Sequence, residues 1–279
     1  MKTSALRRWL VSLGLIALEQ TTRFMGGHDL QIFFVEWRCV KLCYLWYIII
    51  SICFNEGDMV DILELMHKRH SVRKYIDEEI DSSVKKIIEQ KVDEVNRESS
   101  LNIKAVFDDK EGFNSKLAKY GKFENVNNFL IMKGVGNDLS ETCGYYGEKL
   151  VMELMNLGLG SCWVALTYNK KNIKKYIEPN ENLVIVIAFG IPENWGYNHK
   201  SKLPKQVSNV SDNSPQWFKD GVDCALNAPT AINQQKFMLT LVDDKVKAKA
   251  RFAPSAKVDL GIVKYHFEVG SGKDHSIWI

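Results

Sequence analysis

Residues Tyr145–Trp163 read YYGEKLVMELMNLGLGSCW, a helix that runs into a glycine stop and then toward a strand. Leu150, Val151, Leu154 and Leu157 recur at the spacing of one helix face, and Gly158 stands where a helix commonly ends in the left-handed conformation. The small-residue turn Gly158-Leu159-Gly160-Ser161-Cys162-Trp163 is a helix C-cap running into a strand, and it would also let a planar ligand pass close to the backbone. Helix and strand therefore alternate within one compact stretch, which is the signature of a mixed fold.

The same alternation extends in both directions. Upstream, Asp58 or Asp61 can cap a helix through Lys68 with Val60, Leu63 and Met66 on one face. Asp81, Ser82 and Ser83 precede a second helix whose stripe is Val84, Ile87, Ile88, Val92 and Val95. Ile103–Phe107 and Phe129–Lys133 read as short strands. Downstream, Leu183–Phe189 is a continuous apolar run, as expected of a strand buried on both faces. Gln216–Leu226 reads as helix and Lys236–Val242 as strand. Gly261–Trp278, GIVKYHFEVGSGKDHSIW, echoes Gly147–Trp163: each is a helix, a glycine-rich turn and a short tryptophan-bearing stretch, as a chain of two related halves would show. The pattern is α+β or α/β in one domain of about 220 residues, large enough to bury a sizeable core.

Composition narrows the functional classes. The chain has 279 residues, 46% hydrophobic and 25% charged, which excludes a disordered or collagenous chain. A net charge of +3 gives no basic face of the kind nucleic-acid binding needs, so no nucleic acid is expected as partner. Six cysteines without a CxxC pair, and histidines without ligand spacing, predict neither a metal site nor a disulfide framework. Residues 1–58 differ from the rest, with Cys39, Cys43, Cys53, Trp9, Trp37 and Trp46 and two apolar stretches behind basic residues. They read as an atypical extension: translated upstream sequence that is no part of the working protein, ahead of an export signal or membrane-surface anchor, because Met59 directly precedes the first clean helix period. The working domain is then 59–279, and a cytoplasmic location is expected.

Four clusters carry chemistry. In Lys68–Tyr75, KRHSVRKY, the residues Arg69, Ser71 and Arg73 alternate, so an extended chain turns them to one side as phosphate ligands. His199-Lys200-Ser201-Lys202-Leu203-Pro204 offers further cations for a phosphate monoester. Ala228–Gln235, APTAINQQ, combines small residues with amides able to read a heteroaromatic ring edge. The fourth is the Gly158–Trp163 turn. Each also has a plain reading, as a solvated helix end, a lysine loop, a connecting loop and a helix cap. Gly270-Ser271-Gly272-Lys273 is no P-loop, because Phe267 and Asp274 occupy required positions. No Rossmann fingerprint is present.

Together these clusters resemble the FMN-dependent nitroreductase family. KRHSVRKY looks like its N-terminal Arg-Ser-x-Arg signature, APTAINQQKF its Ala-Pro-Ser-x-x-Asn-x-Gln segment and GLGSCWVAL its Gly-Leu-Gly-Ser turn, while AFGIP with HKSKLP looks like its closing elements. The Ala-Pro segment follows the Gly-Leu-Gly segment here, the reverse of the usual order, so the chain resembles the subgroup with rearranged segments. Lys236-Phe237 stands where Pro-Trp is usual. The resemblance implies an α+β fold with a central, mainly antiparallel sheet flanked by helices. It implies bound FMN, NADH or NADPH as transient hydride donor, and a nitro compound, quinone or related small-molecule electron acceptor. Arg73 would be the catalytic cation near the flavin N1 and C2 carbonyl. Arg69, Ser71, Lys200 and Lys202 would hold the phosphate. Asn233 and Gln235 would address the ring edge, with Pro229, Thr230, Ala231, Leu159, Gly160 and Ser161 close to the ring and His70 packing beside it. If the two halves are related, one chain supplies both walls of the site as a monomeric pseudo-dimer; otherwise a homodimer is implied. The alternative is an FMN-binding protein without turnover, a sensor or flavin store. A membrane-attached partner protein is a further class.

Overall fold

The computed structural model describes residues 61–197 and 199–279, so the expectations for residues 1–58, and Val60 on the first helix, lie outside the described residues. Asp61 caps α1 (Ile62–Lys68), its Oδ1 accepting from the Leu63 N–H at 3.0 Å. Asp81 does the same for α2 (Ser82–Ser99) through the Ser83 N–H at 2.7 Å. Ile88, Val92 and Val95 of α2 are buried, whereas Ile87, one residue round the helix from Ile88, is exposed; the apolar stripe is narrower than the sequence predicts.

Four strands form the main sheet: β1 (Lys104–Val106), β2 (Asn128–Gly134), β3 (Gly160–Val164) and β4 (Asn182–Gly190), in spatial order β1-β2-β4-β3 and antiparallel throughout. The expected α+β class with a mainly antiparallel sheet is the one observed. Neighbouring residues of β4 point to opposite faces. Ile185, Ile187 and Phe189 enter one core with the helices, and Val186 and Ala188 enter a second with Tyr75, Phe113, Phe129 and Ile173. The apolar run is continuous because both faces are covered. Short helices α3 (Lys116–Tyr120) and α5 (Lys170–Ile173) lie between these strands in sequence.

The long helix α4 spans Leu139–Asn156, six residues earlier than the Tyr145 start that its leucine stripe predicts. Its first turns bury Leu139 and then Cys143, Gly144 and Gly147, small residues that leave little apolar signal. After α6 (Pro204–Val207) and α7 (Gln216–Ala225) come β5 (Phe237–Val242), β6 (Lys245–Ala250) and the second long helix α8 (Ala256–Ser271). β5 and β6 pair antiparallel as a separate two-stranded sheet. Helix, antiparallel strand pair, long helix and glycine stop thus occur twice. Gly158 and Gly272 both follow a long helix with positive φ, 76° and 64°, and Trp278 then bridges Val246 as a strand beginning again.

The two long helices cross backbone to backbone. A Cβ on Gly144 would stand 2.1 Å from Val258 O, and one on Gly261 would stand 2.0 Å from Glu141 O. Only glycine permits that approach. Among the described residues, no helix is long and apolar enough to cross a membrane.

Candidate functional site

Past α1 the chain turns extended and runs beside β3. Val72 N–H donates to Ser161 O at 2.9 Å, with Ser71 opposite Ser161 in a parallel bridge. Val72 and Tyr75 go into the core. Arg69, Ser71 and Arg73 go instead to the wall of a cleft of about 990 Å³. Gly160 makes the approach possible, since a Cβ there would lie 2.7 Å from Val72 Cγ2.

The cleft brings together eight of the predicted site residues: Arg69, His70, Ser71, Arg73, Pro229, Thr230, Ala231 and Asn233. The other six stand behind or beside its wall. Leu159 packs in the helix-side core, while Gly160 and Ser161 form the strand edge that carries Ser71 and Val72. Gln235 is buried, its Nε2 donating to Leu226 O at 3.0 Å and its Oε1 accepting from Lys202 N–H at 2.7 Å, so it braces the loop. Lys202 Nζ donates to Gln234 O and Gln235 O, each at 2.8 Å. Lys200 is exposed and its carbonyl accepts from Asn233 Nδ2 at 2.8 Å. Lys236 is exposed and Phe237 is buried in the core; neither lines the cleft.

Sequence reading did not assign Cys162, Trp163, His199, Ile232 or Asp259 to this wall. Behind it lies Glu148, fully buried on α4. Its Oε2 accepts from Trp163 Nε1 at 2.9 Å, its Oε1 lies 2.9 Å from His266 Nε2, and Arg69 Nε stands 3.7 Å away. Burial pushes the Arg69 guanidinium below its ordinary pKa, and Glu148 pulls it back up. His70 and His199 are both held below the usual histidine range, first by burial and then by Arg69. The cleft wall thus carries cationic arginines beside imidazoles that favour the neutral form.

The opposite wall is the loop Thr230–Gln235, and its backbone is unusual. Ile232, Asn233 and Gln235 have φ of 47°, 54° and 45°, a region that non-glycine residues seldom occupy. Asp259, at the start of α8, accepts from Ala231 N–H at 3.0 Å and from Gln234 Nε2 at 2.7 Å. Burial raises its carboxyl to about 6, against the pull of those two bonds.

Among the described residues, two buried side-chain polar atoms have no hydrogen-bond partner: Arg69 Nε and Asn233 Oδ1. One is a cationic donor and the other an amide acceptor, and both residues belong to the cleft wall, on opposite sides. Arg69 Nε faces the Glu148 carboxylate at 3.7 Å, which leaves Asn233 Oδ1 as the orphan acceptor; buried polar groups are nearly always paired, so it fits a ligand edge that carries N–H.

Residues 61–271 match the protein family described as "Putative TM nitroreductase". Among solved structures, a "putative nitroreductase" from Thermotoga maritima is 20% identical, covers 77% of this chain and 85% of its own, and superposes with a TM-score of 0.56, which is the same fold. A "putative nitroreductase in complex with FMN" from Desulfovibrio desulfuricans is 16% identical over 55% of this chain and 98% of its own, with a TM-score of 0.45. An "FMN-dependent nitroreductase" from Clostridium difficile is 19% identical over 56% and 99%, with a TM-score of 0.41. None of the curated proteins matches the chain.

Proposed function

This chain belongs to the TM nitroreductase family, and from that premise we propose that it is an FMN-dependent oxidoreductase that passes a hydride from NADH or NADPH to a small electron acceptor such as a nitroaromatic or a quinone. The observation that carries this reading is the convergence of Arg69, Ser71 and Arg73 with Pro229, Thr230, Ala231 and Asn233 on one cleft of about 990 Å³, where the Asn233 Oδ1 acceptor is left without a hydrogen-bond partner. FMN, when bound, supplies the hydride-accepting and hydride-donating ring; the protein supplies position and charge.

Arg69 and Ser71 are assigned to the phosphate, which suits an arginine whose donors are only partly used. Arg73, exposed in the cleft, is the cation for the pyrimidine end of the ring, where negative charge develops on reduction. Asn233 Oδ1 accepts from the ring edge, and Pro229–Ala231 supply close backbone. Lys200, Lys202 and Gln235 serve the loop that carries Asn233. The mouth of the cleft exposes Tyr197 and Ile232, an apolar rim suited to a planar acceptor. A nicotinamide nucleotide as donor fits a cytoplasmic setting. Both halves line one cleft, Arg69–Arg73 and Trp163 from the first and Pro229–Asn233 and Asp259 from the second, which supports a monomeric pseudo-dimer. The flavin-store reading rests on Lys236-Phe237, and neither residue reaches the cleft.

The test is a visible spectrum of the purified chain with added FMN, followed by anaerobic NADH or NADPH. A bound flavin band that bleaches on addition is the expected result. A protein that fails to bind FMN overturns the proposal, and one that binds it without bleaching selects the store.

A further inference from the structure

The loop Thr230–Gln235 is held in a conformation that its own sequence resists. Ile232 is β-branched, sits at φ 47° and is 95% exposed, so it gains no packing in return for its strain. Asn233 and Gln235 share the left-handed region. Such a segment persists only where the surroundings over-determine it. Those surroundings are identifiable. Gln235 N–H donates to Thr230 Oγ1 at 3.0 Å, Gln234 Nε2 donates to Pro254 O at 2.8 Å, and Lys202 Nζ reaches two carbonyls. One side chain ties the loop to the helix across from it: Asp259 takes the Ala231 N–H on one carboxylate oxygen and the Gln234 amide on the other.

We propose that Asp259 is the positioning residue of the cleft, holding Ala231–Gln235 in its strained left-handed course so that Asn233 Oδ1 is presented as the acceptor for the ring edge. The identity of that ring rests on the flavin reading above; the clamp itself does not. Asp259 is 4% exposed and its two bonds both end on the loop, so its carboxylate has no other partner to serve. The arrangement links α8 to the ligand through the loop, with Asp259 as the carboxylate that spans from the helix to it.

The proposal separates from a merely structural role by suppression. Glycine adopts positive φ without penalty, so Ile232→Gly makes the clamped conformation cheap, and the clamp is then less needed. Four full-length proteins are compared: the parent, Asp259→Ala, Ile232→Gly and the double variant. Hydrogen exchange of the amides of residues 230–235, without added ligand, reports the loop alone. Fluorescence titration with FMN reports its consequence. In Asp259→Ala, loop exchange rises at least about tenfold, the loss expected for hydrogen bonds to a charged group, while exchange in α4 and β4 is unchanged. FMN affinity falls by a similar factor. In the Ile232→Gly background both effects shrink at least about threefold, the non-additivity of coupled sites. Equal effects in both backgrounds, or loop exchange untouched by Asp259→Ala, overturn the clamp. If Asp259→Ala does not fold, Asp259→Asn leaves Gln234 and its Pro254 bond in place, removes the carboxylate charge and one of its two acceptor oxygens, and is read the same way. Absence of FMN binding in every protein, parent included, sinks the flavin reading, and the exchange data still decide the clamp.

Discussion

Glu148 sits behind the cleft wall, where Arg69, Trp163 and His266 converge on it. His266 Nδ1 lies 3.3 Å from Cys224 O, a carbonyl that can only accept, so Nδ1 carries hydrogen. His266 Nε2 lies 2.9 Å from Glu148 Oε1, and both residues are fully buried. Arg69 stands beside them as a fixed cation. Replacing Glu148 by glutamine keeps the acceptor for Trp163 Nε1 and removes the charge opposite Arg69. The expected cost is about 3 kcal/mol of stability, the usual result of breaking a buried pair from one side, read as a lower urea midpoint with unchanged slope. Arg69→Met together with Glu148→Gln recovers most of that loss, since no buried charge is then left alone.

At this scale the sequence reveals one wall and hides the other. The alternation Arg69, Ser71, Arg73 is visible because an extended strand turns alternate residues to one side, with Val72 marking the opposite face. Glu148 next to Lys149 looks like an ordinary solvent-facing helix pair, and Asp259 looks like a first-turn acid on an amphipathic helix. Their importance comes from what packs over them in the fold, His266 and Arg69 on Glu148 and the Ala231–Gln234 loop on Asp259, and no local pattern records it.

Elements follow the same division. α2, β2 and β4 are legible because their apolar periods are complete. The first turns of α4 are not, because Gly144 meets α8 and Gly147 lies under Trp163 and Met132, where the sequence would otherwise show leucine. β6, with Lys245, Lys247 and Lys249 alternating against Val246, Ala248 and Ala250, has a strand period that the reading passed over amid its lysines. The helix crossing itself is a prediction. Gly261→Ala places a methyl 2.0 Å from Glu141 O and near Tyr145 N, backbone atoms that cannot rotate aside. It should cost about 3 kcal/mol or more, seen as a fall in the thermal midpoint.

For the whole molecule, Asp259 couples stability to pH in the direction opposite to most carboxylates. Its pKa rises from 3.8 to about 6 on folding, chiefly through burial. The folded chain therefore binds that proton more tightly than the unfolded one. The stabilisation is complete below the unfolded value and is lost as pH rises through about 6. Relative to Asp259→Asn, the natural protein should gain about 1 kcal/mol between pH 7.5 and 5 in urea unfolding; the other ionisable groups of the cleft, His70, His199, Glu193 and the cations, are common to both proteins. Protonation also weakens an acceptor of the loop, so ligand affinity falls over the interval in which stability grows. A protein that binds FMN better at pH 5 than at 7.5 contradicts that account.

The crossing of α4 and α8 also orders events in time. The two helices are about 100 residues apart in the chain, and translation proceeds at about 5–20 residues per second. For several seconds a nascent chain holds α4 outside the ribosome with its glycine face bare and its partner still unmade. The far wall of the cleft, Pro229–Asn233 and Asp259, emerges in that same late segment. Arg69 and Glu148 wait for His266 and the far wall, and a ligand of the cleft meets a protein whose synthesis has already passed α8.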